Sequence, residues 1–157
     1  MKPKAYLETS MIGYLASPPS LDPMVAANQR VTQEWWQARS GEYDLYISQP
    51  VIQEAKVDDE DAAMRHMALL VDLPSLELNR AALDLARALA EGVPIPKEAV
   101  EDALHVALAT VHGMDYLLTW DREHLAGASI RDEIERVCRA RGYEPPLICT
   151  PRELLEE

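Results

Sequence analysis

The sequence has no phenylalanine, only two cysteines, few basic residues and no long apolar run. Nothing about the fold follows from the missing phenylalanine. The lack of a long apolar run excludes more, because no segment approaches the roughly 20 apolar residues of a membrane span. The opening residues, MKPKAYLETSMIGYL, hold two lysines but no continuous apolar core, so no secretory signal is expected. Cys138 and Cys149 have no His beside them at zinc-like spacing. Two reduced thiols in a cytoplasmic protein are the expectation, with a lone disulfide as the alternative. There is no internal repeat and no low-complexity segment. Fifteen Lys and Arg against 27 Asp and Glu leave a net charge of −12. That balance opposes bulk electrostatic binding of nucleic acid, which needs Lys and Arg against phosphate.

What is present fits one globular domain over residues 1–157, a length that buries a core without staples. Short apolar runs at 5–8 (AYLE), 44–48 (DLYIS), 115–119 (DYLLT) and 146–150 (PLICT) read as buried strands. SLELN adds a brief strand or extended link. Between them lie helical segments near 11–17, 24–40, 50–56, 58–71, 80–91, 97–112 and 130–141, with a helical turn in DREHLA and a last short helix in PRELLEE. Asp22 and Pro23 suit a cap and first turn, and Ala27, Val31, Trp35 and Ala38 form an inward face. Gly92, Gly113 and Gly142 mark helix ends, and VPIP is a stiff connector. Alternation of strand and helix predicts an α/β protein, a central parallel sheet between helical layers in a three-layer α/β/α arrangement.

In such a sheet the strand carboxyl ends share one edge, where ligands bind. Glu8 ends the first strand, and Asp121 follows the DYLLT strand. Glu54 lies on the helix after the second strand, and Asp102 in the first turn of the helix before DYLLT. Singly, each acid has an ordinary explanation as a cap or a surface group. Together, four carboxylates at one edge repel unless a cation joins them. Hard oxygen donors suit Mg2+ or Mn2+, and the matching chemistry is hydrolysis of a phosphodiester. His105 reads as a partner orienting Asp102 or as a surface histidine, since a bundle-type di-iron site would need a second Glu-x-x-His helix. The cluster Asp58, Asp59, Glu60, Asp61 lacks the spacing and glycine of a calcium loop and reads as helix capping. Trp36 is offered either to a base or dimer contact, or to covering a neighbouring helix.

The segments YLETSMIGYL, VIQEA and EDALHVALATVHGMDYLLTWD with REHLA, in that order over nearly the whole chain, resemble the PIN-domain ribonucleases of the VapC toxin type. The resemblance implies a compact PIN-like α/β/α fold, a Mg2+- or Mn2+-dependent acidic site and cleavage of RNA. It also implies a homodimer held in check by a small antitoxin protein. It gives Glu8, Glu54, Asp102 and Asp121 as the four acids in order. Thr119 matches the hydroxyl residue before the fourth acid, and Thr9 or Ser10 the hydroxyls after the first. Glu8 stands where most members carry Asp, one methylene shorter. Trp120 is bulkier than that family's usual residue and is expected at the pocket mouth.

An acidic toxin bound by a basic antitoxin segment is electrostatically sensible. RNA itself has Arg131, Arg136, Arg139 and Arg141 as candidate grips, although Asp132, Glu133 and Glu135 interleave with them. The alternative function is a catalytically degenerate PIN-like module acting through protein contacts. A phosphatase with an aspartyl nucleophile ranks last, because Glu8-Thr9-Ser10 lacks that Asp.

Overall fold

Three consecutive side chains of the first strand, Ala5, Tyr6 and Leu7, are all fully buried, so this strand is covered on both faces. The computed structural model describes residues 1–55, 60–93 and 100–156. Within them lie β1 (Lys4–Leu7), α1 (Thr9–Ala16), α2 (Pro23–Arg39), β2 (Asp44–Ser48), α3 (Gln49–Glu54), α4 (Glu60–Leu70), β3 (Ser75–Leu76) and α5 (Arg80–Gly92). α6 (Val100–Val111), β4 (Tyr116–Leu118), α7 (Ala128–Ala140), β5 (Leu147–Cys149) and α8 (Pro151–Leu155) complete the order. The expected starts of two helices, the acids Asp58 and Asp59, the VPIP connector beyond Val93 and Glu98 lie outside the described residues.

The sheet has five parallel strands in the order β3-β2-β1-β4-β5, flanked by helices as expected of an α/β/α arrangement. Tyr6 sits level with Tyr46 on one side and Leu117 on the other. From β1 the chain builds outward through β2 and β3, then crosses back to place β4 on the other flank of β1. The switch point is therefore between β1 and β4, where the crevice at the strand ends opens. On the helical layers, α1, α2, α4 and α8 pack together, as do α5, α6 and α7. Cys138 and Cys149 are free thiols. Among the described residues no helix is long and apolar enough to cross a membrane.

Several local expectations are corrected. β1 stops at Leu7, so Glu8 is the joint between strand and helix, and α1 begins two residues earlier than the apolar run suggests. The inward face of α2 is Gln29, Thr32 and Trp35, whereas Ala38 is exposed. Gln29 is buried because its amide serves the turn before the helix, donating to Pro18 O and accepting from Ser20 N. Asp22 does cap this helix, accepting from Met24 N and Val25 N. Gly92 ends α5 inside the helix, and a Cβ there would lie 3.0 Å from Val137 Cγ2, so this glycine serves close packing on α7. Gly113 and Gly142 do take positive φ, 72° and 85°, at the ends of α6 and α7. Trp36 is partly buried against the core beside Trp35, the covering role.

Candidate metal centre

Glu8 turns its side chain back over the end of β1, where it is 7 % exposed. Its Oε1 accepts from Ser10 Oγ and from Thr119 Oγ1, each at 2.6 Å. Thr119, just past β4, in turn accepts from Asp121 N at 3.0 Å, and Ser10 Oγ accepts from Trp120 N at 2.9 Å. These four bonds lock the ends of the two strands at the switch point into one structure. They also explain why hydroxyl residues flank the acids: only a group that donates and accepts at once can join a carboxylate to a backbone N–H.

Asp121 caps the wide helical turn Arg122–Ala126, with Oδ1 accepting from His124 N at 2.9 Å. The turn is closed five residues on, by Ala126 N donating to Asp121 O at 2.9 Å. Its geometry brings His124 Nδ1 to 3.5 Å from Asp121 Oδ2 and 3.3 Å from Asp102 Oδ2. Asp102, from the first turn of α6, is pushed up to about 6 by burial and then by the charges of Asp121 and Glu8, against the opposing pull of His105 and His124.

Glu54 arrives from α3 and is held by Thr9 Oγ1, which donates to its Oε1, and by His105 Nε2 at 3.0 and 3.2 Å from its two oxygens. Burial resists its ionisation, but the His105 and Thr9 hydrogen bonds prevail and hold the carboxyl below the usual range. The neighbouring Glu101 carboxyl is raised through its hydrogen bond and charge contact with Glu54. His105 is 1 % exposed, not a surface residue, and it does not orient Asp102. Its Nδ1 lies 2.6 Å from Tyr6 Oη, which is also 2.5 Å from Ser48 Oγ. Burial disfavours the imidazolium, yet the Glu54 contact overcomes this and raises the His105 pKa. Tyr6 stays protonated, its pKa raised by burial despite the Ser48 bond.

The four acids expected at one edge thus meet there, from the β1–α1 joint, α3, α6 and the turn after β4. Glu8, Glu54 and His105 bring donor atoms within 4.8 Å of one another, and Asp102, Asp121 and His124 do the same. Two histidines, Ser10, Tyr6 and Ser48 complete an arrangement that the acids alone did not announce. Trp120 does not shape a mouth. It is 8 % exposed, donates from Nε1 to Thr32 Oγ1 at 2.7 Å and packs against Tyr14. The arginines of α7 are mostly spoken for: Arg131 by Ile148 O and Glu153, Arg136 by Glu133 and Gly92 O, Arg139 by Glu135 and Glu144. Arg141, the residue after the helix, is exposed.

No family model matches the chain, and no curated protein matches it.

Proposed function

We propose that this chain is a divalent-metal-dependent endoribonuclease of the PIN type, acting as the toxin of a type II toxin–antitoxin pair. The observation that carries the reading is the meeting of Glu8, Glu54, Asp102 and Asp121 at the β1–β4 switch point, with Asp102 raised to about 6 behind the burial and the charges that crowd it. Carboxylates so crowded are under-neutralised, and the donor set, hard oxygens with imidazole nitrogen, fits a small divalent ion such as Mg2+ or Mn2+. A bound ion would supply Lewis-acid stabilisation of phosphate charge and a more acidic water.

The chain's own residues do the rest. Ser10 and Thr119 fix Glu8 in one rotamer, Thr119 fixes the backbone of Asp121, and His105 holds Glu54. In a protein of net charge −12 with Arg136 and Arg139 paired to acids, a bound cation supplies the main attraction for RNA phosphate at the site. Met64, Met67 and Val71, on and just past α4, are exposed at helical spacing, which supports a protein partner, antitoxin or second copy.

The test is cleavage of single-stranded RNA by the purified chain in Mn2+ or Mg2+. Cleavage that stops with EDTA and in Asp102→Asn, with the circular-dichroism spectrum unchanged, is the expected result. Cleavage indifferent to both sinks the proposal. One observation favours a second reading, a PIN-like binding module without activity: Glu54 already has a counter-charge in His105. Calorimetry separates the two, since the module binds neither ion at millimolar concentration.

A further inference from the structure

We infer that His124 is a nitrogen ligand of the divalent ion, completing a mixed site with Asp102 and Asp121 that prefers manganese to magnesium. The inference rests on the metal-dependent reading above and adds to it a ligand and an ion preference.

Two histidines border the acids, and their surroundings differ. Both ring nitrogens of His105 are engaged, Nδ1 by Tyr6 and Nε2 by Glu54, so this ring has no lone pair to offer without breaking a buried network. His124 has no such commitment. Its Nδ1 faces two carboxylate oxygens at 3.3 and 3.5 Å, and neither approach makes a hydrogen bond. Donors about 2.1 Å from one ion, at the angles of octahedral or tetrahedral sites, lie about 3.0–3.4 Å from each other. His124 Nδ1 therefore stands close to ligand spacing from both oxygens, and the donor atoms of the three residues all lie within 4.8 Å of one another. The oxygens are also the free ones: Asp121 spends Oδ1 on capping His124 N and presents Oδ2.

The remaining ring nitrogen makes no hydrogen bond that would commit the ring elsewhere. His124 Nε2 lies 3.8 Å from Glu123 Oε1. The turn that presents the ring is itself enforced, because a Cβ on Gly127 would meet Arg122 O at 2.6 Å. Glu8, nine-tenths buried, uses only Oε1 in hydrogen bonds and leaves Oε2 as a further oxygen at this edge. Imidazole suits transition metals, whereas magnesium favours oxygen and water, so a nitrogen in the set shifts preference toward Mn2+.

Pulsed electron paramagnetic resonance of the full chain loaded with Mn2+ reads the ligand directly. The expected spectrum carries 14N modulation, which persists in His105→Gln and disappears in His124→Gln. Bound Mn2+ without 14N modulation in the wild type, or modulation that survives His124→Gln, overturns the assignment. Calorimetry with MnCl2 and MgCl2 gives an independent arm: His124→Asp, an all-oxygen set, lowers the Mn2+-to-Mg2+ affinity ratio by about 10-fold. An unchanged ratio also overturns it. Nitrogen coupling in a protein that cleaves no RNA removes the nuclease proposal and leaves the ligand; no Mn2+ binding at all removes both.

Discussion

Thr119 donates to Glu8 at 2.6 Å across 111 residues of chain, and the same hydroxyl accepts from Asp121 N. Like Ser10 Oγ, it ties the end of β1 to the end of β4. Thr119→Val keeps the shape and removes both bonds, leaving the part-buried Asp121 N–H without this partner and Glu8 Oε1 with Ser10 alone. A loss of about 2 kcal/mol in urea unfolding is expected. Mn2+ affinity in calorimetry falls by about 10-fold, since Glu8 and Asp121 lose their common support. Thr119→Ser keeps the hydroxyl and should retain the affinity. Equal behaviour of the two variants contradicts the bridging role.

Asp102 makes the metal-free protein pH-sensitive. Its folded pKa of about 6 exceeds the ordinary 3.8. Between those values the folded state binds more protons than the unfolded state, so stability falls as pH rises through the interval. The penalty is absent below it and complete above it. Asp102→Asn should therefore raise stability at pH 7 in EDTA by on the order of 1 kcal/mol, solvent screening included, and by nothing at pH 3.5. Unfolding curves of both proteins at the two pH values check this. Saturating Mn2+ should reverse the order, because the ion stabilises only the wild type.

The layout of the fold could be read from the sequence because strands buried on both faces are short unbroken apolar runs, as Ala5-Tyr6-Leu7 and Tyr116-Leu117-Leu118 are. The four acids could be placed for the same reason, each being fixed by its distance from a strand end. What escaped was decided by long-range packing. His105 has a helical position that suits a surface residue near Glu101, but α6 is buried at Ala103 and from His105 through Thr110, and the partner Tyr6 is 99 residues away. Trp120 is claimed by Thr32, 88 residues away. His124 had a local signal, three residues past Asp121 in a helical turn and so on its side of that turn.

The Glu54–His105 pair predicts a stability maximum at mildly acidic pH. His105 is raised above the ordinary 6.5, so its contribution is full below 6.5 and is lost as pH rises through the folded value. Glu54 is lowered below the ordinary 4.5, so its contribution is present above 4.5 and is lost as pH falls through the folded value. Both are complete between roughly 4.5 and 6.5. His105→Gln should cost about 3 kcal/mol at pH 5.5 and clearly less at pH 9. A double-mutant cycle with Glu54→Gln at both pH values isolates the pair, and a pH-independent coupling energy would count against it.

Trp120 offers a control that separates packing from the site. It lies between Thr119 and Asp121 in sequence, yet its indole points away, into a space between α1 and α2, where Nε1 donates to Thr32 and the ring meets Tyr14. Trp120→Phe loses that one hydrogen bond and leaves the Thr32 hydroxyl its own bond to Asn28 O, made at 2.6 Å. The expected cost in thermal or urea unfolding is about 1–2 kcal/mol. Backbone support is untouched, because Ser10 holds Trp120 through its N–H rather than its ring. Mn2+ affinity and RNA cleavage at 25 °C should therefore match the wild type. A variant that folds normally but loses metal binding would show that the indole, and not only the Ser10 and Thr119 hydroxyls, fixes the end of β4.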